Sequence, residues 1–372
     1  MPNIAQSAKA RARRDNVLER TMNGLATLPG HVLRLVESGA IAEFATMSAA
    51  GVPIDTPTYY FPSDDLATLD VATGLAYPAK ADRARRNPRV GMLIEGSEDE
   101  PIISIRGRAA VRDSDLGANA RRYLAETGFE GISYGLPWSE ARKAVWYWTR
   151  LIVEVMPQRI MWWDRPADMA SAPKVWNAPV DHVFPASDPA PAGKPSAPAK
   201  WPQRDWRQIA KDGLARDIRP HLTLSDADGY PLPIRTIDCE LVGDRFRLTM
   251  PGWLPWAVGA TATLTFIGLE TFVGEAEADG DVVWLTVARA LPQLPTMVNP
   301  RHVLQPTNEI RESLFNRLCE EAARRGSPSP RCPRRFPNRP VSLVFASPVT
   351  ARAHRRSRER LDAGRPSESR QV

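Results

Sequence analysis

The stretch Tyr77–Ile94, "YPAKADRARRNPRVGMLI", predicts a short basic helix that ends before Pro88 and leads into an apolar strand. Pro78 suits the first position of a helix, and a residue that precedes a proline is disfavoured in helical conformation. Lys80 then lies in the first turn, where the helix dipole disfavours a cation. Either an anion binds among the free N–H groups beside this lysine, or its side chain extends into solvent. The residues alone do not distinguish these two alternatives.

The segments around this helix alternate in the manner of β-strands. "EFATMSAAGVPIDTPTYYF" (43–61) predicts a strand, a turn with glycine and a second strand, and "LATLDVAT" (66–73) predicts another. "IISIRGRAAVRD" (102–113) is predicted to pair with the strand after the helix. "TRLIVEVMPQRIMWWD" (149–164) predicts two short strand pieces around Pro157.

The second half of the chain repeats part of this pattern. "TMSAAGVP" (46–53) and "TLSDADGYP" (223–231) share Thr-x-Ser followed by Gly-x-Pro, and each precedes a strand. A similar run of strands follows in both halves, which favours an internal duplication. The basic helix is missing from the second copy, where "GWLPWAVGATATLTF" (252–266) stands in its place.

Composition and motifs exclude several classes of protein. The 372 residues are 25% charged and 43% apolar with a net charge of +6, which is typical of a globular chain long enough for two domains. We expect no signal peptide, no membrane span and a cytoplasmic protein. The three cysteines form no CxxC pair, the five histidines are scattered, and Rossmann, P-loop, HExxH and GxSxG motifs are absent, so we predict no metal site.

The order of segments from about residue 30 to 163 resembles the flavin-binding split barrel of the pyridoxamine-5′-phosphate oxidase-like superfamily. Lys80, followed seven residues later by Asn-Pro-Arg-Val, is the most specific part of the resemblance. The resemblance implies a mainly β (α+β) chain of two split β-barrels with Greek-key strands and short flanking helices. The second barrel resembles the family only faintly and is expected to be degenerate.

The resemblance also implies a cofactor and the residues that hold it. In this family the matching lysine contacts the phosphate of FMN or the corresponding part of the deazaflavin F420, so FMN, with F420 as the alternative, is the expected cofactor of Lys80. Strand residues that would line the cofactor are Thr56, Pro57, Thr58, Ala72 and Thr73. Trp162 and Trp163 are candidates for stacking on the ring.

Departures from the family pattern argue against oxidation of vitamin B6. Pro78-Ala79-Lys80 stands where those oxidases have Ser-Arg-Lys, and Ile102 replaces a glutamine. In those oxidases an Arg-x-His motif after the last strand binds the vitamin B6 substrate. Here no Arg or His follows the Arg-Pro of "WWDRPADMA" (162–170). The function predicted is a flavin- or deazaflavin-dependent oxidoreductase that transfers hydride to an unknown small molecule, with no catalytic side chain identified. The alternative is a non-catalytic protein with a degenerate split barrel, whose role is flavin binding, sensing or interaction.

The resulting organisation has six parts. We predict a flexible N-terminus (1–25), a flavin-binding barrel (26–165), a Pro/Ala-rich linker (166–205), a degenerate barrel (206–298), a helix (299–326) and a basic tail (327–372). The helix carries an apolar stripe every four residues from Ile310 to Ala322 and is expected to pack on a barrel or a partner. We expect a homodimer or an internal pseudo-dimer. The tail lacks aromatic residues among its charges, so nucleic acid is not an expected partner.

Overall fold

The computed structural model describes residues 24–39, 41–127, 136–179, 183–195, 205–216, 218–254, 259–266, 270–280, 282–291 and 304–327. The predicted N-terminal segment, apart from its last two residues, and the basic tail beyond 327 lie outside these ranges. The described residues form two antiparallel sheets of seven strands each and a smaller number of helices. The α-helices are α1 Gly30–Glu37, α2 Ala79–Arg86, α3 Leu116–Thr127, α4 Trp138–Ala141, α5 Val145–Trp148, α6 Trp206–Leu214 and α7 Asn308–Arg324.

The first sheet closes on itself. Its strands are β1 Ile41–Met47, β2 Pro53–Pro62, β3 Leu69–Gly74, β4 Arg89–Glu95, β5 Ile102–Arg112, β6 Arg150–Trp163 and β7 Lys174–Asn177. The order is β3-β2-β1-β4-β5-β6-β7, and a further pairing of β3 with β6 makes β1 to β6 a closed barrel. Closure removes the exposed edges that an open sheet would present.

The second sheet repeats the strand order of the first without closing. Its strands are β8 His221–Ser225, β9 Pro231–Arg235, β10 Asp238–Val242, β11 Arg245–Thr249, β12 Ala260–Phe266, β13 Glu270–Asp279 and β14 Val282–Ala290. The order β11-β14-β13-β12-β8-β9 matches β3-β6-β5-β4-β1-β2 of the barrel. In the barrel β3 also pairs with β2, whereas in the second sheet β10 pairs with the edge of β11, and the sheet stays open.

The repeated Gly-x-Pro motif forms the same hairpin in both sheets. Gly51 lies between β1 and β2 with φ 75°, and Gly229 lies between β8 and β9 with φ 79°. This left-handed region is costly for residues with a Cβ, which explains the glycine at both positions. The shared hairpin and the shared strand order support the predicted duplication. The described residues between β11 and β12 (250–254 and 259) contain no helix that corresponds to α2.

The two sheets pack directly on each other. Leu93, Met161 and Trp163 point outward from the barrel into the hydrophobic core of the second sheet. Gly91 of β4 brings the two backbones together, because a Cβ at this position would lie 1.8 Å from the carbonyl oxygen of Pro231. Ser104 adds a buried hydrogen bond from its Oγ to the carbonyl of Pro233, at 2.6 Å.

Helix α7 packs on the barrel, as its apolar stripe predicted. Leu314, Leu318 and Ala322 are buried in the barrel's hydrophobic core. Arg317 donates from Nε to the carbonyl oxygen of Ala76 at 2.9 Å, just before α2 begins. The second sheet therefore touches one side of the barrel, and the C-terminal helix covers another.

Two segments differ from the sequence-based expectation. Residues 150–163 form one continuous strand rather than two pieces, and the irregularity at Pro157 is absorbed by a shift of register opposite Arg106 and Gly107. The segment predicted as linker begins with β7, which pairs with β6. The domain boundaries remain a prediction. None of the described helices is long and apolar enough to cross a membrane.

Candidate functional site

Helix α2 starts and stops where the sequence predicted. It begins at Ala79, after Pro78, and no side chain caps its first turn. It ends at Arg86, because Asn87 is extended with φ −130° and ψ 106°, the conformation favoured before a proline. Lys80 is therefore the second helical residue, beside N–H groups that have no partner within the helix.

Lys80 does not extend into bulk water. Its Nζ donates to the carbonyl oxygen of Pro57 on β2, and the residue is half-buried. Burial lowers the pKa of Lys80 to about 7, and the nearby carboxylate of Glu43 partly opposes this shift. The ammonium thus lies between α2 and β2, a place that we call the groove at Lys80, with one backbone acceptor and an acidic neighbour.

The other cations of α2 also contact the protein. Arg83 donates from Nε to Thr46 Oγ1 at 2.7 Å, and Arg86 donates to the carbonyl of Met47 at 3.1 Å. Arg85 forms an ion pair with Asp113 at 2.7 Å. Each of these arginines therefore links the helix to the barrel or its surroundings, although Arg86 is also exposed to solvent.

A buried arginine on β6 completes the group of cations. The guanidinium of Arg150 lies 4.3 Å from the ring centre of Tyr123 and 4.2 Å from that of Tyr147, and its Nη2 donates to the Tyr123 hydroxyl at 3.2 Å. It is 5% exposed, and it lowers the pKa of Lys80 by charge repulsion. Arg150 is a strand residue that belongs to no motif, and the sequence analysis did not identify it.

The register separates the predicted strand residues into two faces. Thr56 pairs with Phe44, a residue of the barrel interior, so Thr56 and Thr58 point inward with it. The Thr58 hydroxyl donates to the carbonyl of Ala72 at 2.9 Å. Pro57 and Ala72 lie on the outer face.

Thr73 follows Ala72 and also points into the barrel, because it pairs with the buried Leu151 of β6. Among the predicted residues the structure thus brings Lys80 next to Pro57, and Thr58 next to Ala72. The side chains of Thr56, Thr58 and Thr73 do not face the groove.

The tryptophan pair does not support a stacking role. Trp162 is buried in the core of the barrel, and Trp163 is buried in the core between the sheets, where its Nε1 donates to the carbonyl of Ser171 at 2.9 Å. Both rings are 5% exposed or less, which leaves no free face for a planar ligand. Adjacent strand residues point to opposite sides, so one tryptophan enters each core.

The residues around Lys80 on the outer face of the barrel are partly exposed. Pro57, Tyr59, Tyr77 and Lys80 are all half-buried. A cavity of about 110 Å³ lies elsewhere, beside Arg106 between the sheets, and a wider one of about 470 Å³ lies beside α7. Neither of these two cavities includes Lys80.

Comparisons with known proteins give similar folds at low identity. Similar solved structures include General Stress Protein 26 of Bacillus anthracis, with 15% identity, coverage of 40% of this chain and 95% of that one, and a TM-score of 0.28. An F420 reductase has 19% identity, coverage of 36% and 98%, and a TM-score of 0.29. A pyridoxamine 5′-phosphate oxidase-related, FMN-binding protein of Nostoc punctiforme has 14% identity, coverage of 37% and 84%, and a TM-score of 0.26. No protein-family model and no curated protein matches the chain.

Because these TM-scores are low, the fold assignment rests on the strand order of this chain. Six antiparallel strands close into a barrel, and an open sheet with the same order packs beside it. This architecture confirms the split-barrel fold that the sequence resemblance to the pyridoxamine-5′-phosphate oxidase-like superfamily implied.

Proposed function

We propose that the barrel binds a phosphate-bearing flavin or deazaflavin in the groove at Lys80 and that the protein is an oxidoreductase acting on a small molecule. FMN is the cofactor first expected, and F420 is the alternative. The observation that carries the proposal is the group of cations Lys80, Arg83 and Arg150 at the junction of α2, β2 and β6.

The partners of these cations support an anionic ligand. Among the described residues, no carboxylate forms an ion pair with Arg83 or Arg150; their partners are a threonine hydroxyl and tyrosine side chains. Burying positive charge without a counter-ion is costly, and each of Arg83 and Arg150 lowers the pKa of Lys80. A phosphate between the free N–H groups of α2 and the Lys80 ammonium would offset this repulsion.

The chemistry of the groove fits such a group. Lys80 is positioned to neutralise a phosphate after exchanging its bond to the Pro57 carbonyl. Arg150 has a buried Nε with no hydrogen-bond partner among the described residues. Tyr59 follows Pro57 by two residues and Tyr77 precedes Lys80 by three, and these half-buried residues would offer apolar surface to a bound ring.

These positions suggest separate roles for the cofactor and for the protein. A bound flavin or deazaflavin supplies hydride transfer. The chain supplies charge neutralisation at Lys80, a rigid floor of strands β2 and β3, and apolar surface from the tyrosines. We further propose that the second sheet takes the place of a second subunit, so that the chain is an internal pseudo-dimer.

The test is an absorption spectrum and a binding titration. We expect the full-length protein to bind FMN or F420 and Lys80→Met to bind the same cofactor at least about tenfold more weakly, since a charge-assisted phosphate contact contributes more than 1.4 kcal/mol. Lys143→Met is the matched control, because Lys143 pairs only with Glu140 on the surface. A wild-type protein that binds neither cofactor, or equal binding by both variants, contradicts the proposal.

One observation favours a second candidate function. Lys80 already has an acceptor in the Pro57 carbonyl and an acidic neighbour in Glu43, so the barrel holds an internal counter-charge for it. This arrangement fits a degenerate barrel with a non-catalytic binding or sensing role. A protein that binds the cofactor, but whose bound cofactor is neither reduced nor reoxidised by any electron donor or acceptor tried, favours this candidate.

A further inference from the structure

Three residues that are distant in sequence meet between the barrel and the second sheet. Glu43 lies on β1, Asp55 on β2 and His221 on β8, and one potential ligand atom from each lies within 4.8 Å of the other two. The His221 Nε2 is 2.9 Å from Asp55 Oδ2 and 3.9 Å from Glu43 Oε2. We call these three residues the interface triad.

The interface triad is fully enclosed and lacks the hydrogen bonds that its atoms need. Exposure is 3% for Glu43 and zero for Asp55 and His221. Both carboxylate oxygens of Glu43, Asp55 Oδ1 and both ring nitrogens of His221 have no hydrogen-bond partner among the described residues. His221 Nε2 nevertheless lies at ion-pair distance from Asp55 Oδ2, so these two side chains already contact each other.

Unpartnered polar atoms are rare in protein interiors, because each costs free energy when it leaves water without a replacement. Here four such atoms, besides the His221 Nε2 that contacts Asp55, belong to three side chains that converge on one point. Two carboxylates and one imidazole are also a donor set that suits divalent Zn²⁺, Mn²⁺ or Fe²⁺. Two ionised carboxylates would balance the charge of one such ion.

The spacing agrees with coordination of a single ion. Ligand atoms about 2.1 Å from a tetrahedral ion lie about 3.4 Å from one another. The two distances from His221 Nε2, 2.9 Å and 3.9 Å, fall on either side of this value. All three ligand atoms lie within 4.8 Å of one another, close enough for changes of side-chain rotation to bring them around one ion.

A further contact orients one of the ligands from the second sheet. Thr223, two residues after His221 on the same face of β8, donates its hydroxyl to Asp55 Oδ2 at 2.9 Å. Hydrogen bonds of this kind fix the orientation of metal-ligating carboxylates. The same oxygen of Asp55 thus faces both residues of β8.

We propose that Glu43, Asp55 and His221 bind one divalent transition-metal ion that joins the barrel to the second sheet. The site is structural: it links β1 and β2 to β8 and lies in an enclosed position rather than in a groove. Glu43 and Asp55 also act electrostatically on Lys80, so the two sites are neighbours, but the metal site needs no flavin and is tested without one. Binding of the ion to the folded chain alone would stabilise the association of the two sheets.

The experiment uses the full-length chain without an affinity tag and without added flavin. After removal of metal with EDTA, the protein is titrated with Zn²⁺ and, separately, with Mn²⁺, while calorimetry records heat of binding and Tm. We expect one ion per chain and a Tm that rises with metal concentration. Glu43→Gln and His221→Gln keep the approximate side-chain volume and should each weaken binding at least about tenfold and remove the metal-dependent rise in Tm.

The matched control is Arg106→Gln at the same interface. Arg106 pairs with Asp226 at 2.9 Å and Asp228 at 2.7 Å across the two sheets, and it belongs to no part of the interface triad. This variant should lose stability yet keep the metal-dependent rise in Tm. If wild-type protein binds neither ion and its Tm is unchanged by metal, or if both triad variants bind as tightly as wild type, the metal site is excluded. The wild-type titration decides the question even if a variant fails to fold.

Discussion

Individual charged side chains carry much of the specificity of this molecule, because many are buried. Asp70 on β3 is one of them: it is 1% exposed, accepts a hydrogen bond from Thr68 Oγ1 at 2.7 Å and pairs with Arg122. Burial raises the pKa of Asp70 to about 6, although Arg122 and Thr68 act in the opposite direction. Asp70 therefore makes stability depend on pH.

The direction of this dependence follows from proton binding. The pKa of the unfolded carboxyl is near its ordinary value of 3.8, so between about pH 4 and pH 6 the folded state holds more protons than the unfolded state. The contribution of Asp70 is largest below pH 4 and is lost as pH rises through 6. We expect wild type to lose up to about 3 kcal/mol over this range relative to Asp70→Asn.

Urea denaturation of both proteins at pH 4, 5, 6 and 7 measures this difference. Because every other titrating group is shared, the difference between the two pH profiles isolates Asp70. Asparagine retains an acceptor for Arg122, which limits the loss of packing. Two profiles that run parallel across the range would show that Asp70 does not titrate as its burial indicates.

At the residue scale the sequence indicated Lys80 but not the groups around it. The proline before it and the asparagine-proline after it fixed its place in the first turn, which is local information. Arg150, Glu43 and His221 lie on three different strands. Closure of the barrel brings β6 with Arg150 to β3, and packing of the second sheet on the barrel brings His221 to Glu43. The sequence did not indicate these residues because they are far apart along the chain.

Among the secondary-structure elements, helix α7 shows how a periodic sequence predicts packing. Its stripe of apolar residues follows the helical repeat and is buried on the barrel, and Thr307 caps its first turn by accepting from the Ile310 N–H at 3.4 Å. The sequence left open whether the stripe met a barrel or a partner. Two basic residues at the end of the helix help to hold it on the barrel, because Arg324 pairs with Asp82 and Arg325 pairs with Asp113.

Leu318→Ala should destabilise the protein by about 2–5 kcal/mol, because Leu318 is fully buried against the barrel and its removal leaves a cavity. Phe315→Ala on the same helix is the control. Phe315 is 43% exposed, so its loss should change stability far less. Thermal unfolding of the two variants measures the difference, and equal losses would mean that α7 does not pack on the barrel through Leu318.

Two strands of the barrel sheet differ from the prediction. The alternation of residues indicated β1 to β5, but Pro157 suggested a break in β6 that the neighbouring strand absorbs through its register shift. β7 lies in a segment whose proline content suggested a linker, and its pairing with β6 depends on a free edge of the barrel sheet. In β6 and β7, tertiary contacts thus determined the structure although the local composition suggested a break or a linker.

For the whole molecule, the two sheets differ in closure although they share one strand order. The barrel closes because β3 pairs with both β2 and β6, and the second sheet stays open where β10 is added beside β11. The apolar residues on one face of the open sheet would be exposed to water if nothing packed on them. The outer face of the barrel packs on them through β4, β5 and β6. We infer that neither the second sheet nor that face of the barrel is stable in water without the other.

Gly91→Ala tests this dependence at the closest approach of the two sheets. The added Cβ would lie 1.8 Å from the Pro231 carbonyl oxygen and 2.8 Å from Pro233 Cδ, and backbone on both sides prevents easy relief. We expect a loss of at least about 3 kcal/mol, the upper part of the usual range for overpacking, because the strands must separate. Separation would expose the shared core and increase binding of a hydrophobic dye.

Gly30→Ala is the control for the glycine-to-alanine change itself. A Cβ at Gly30 would meet only the flexible end of Arg34, at 3.8 Å, and the residue begins a helix, so little change in stability is expected. Urea denaturation and dye fluorescence compare both variants with wild type. If Gly91→Ala unfolds at the wild-type urea concentration without added dye binding, the barrel and the second sheet do not rely on this contact, and their cores must be stable apart.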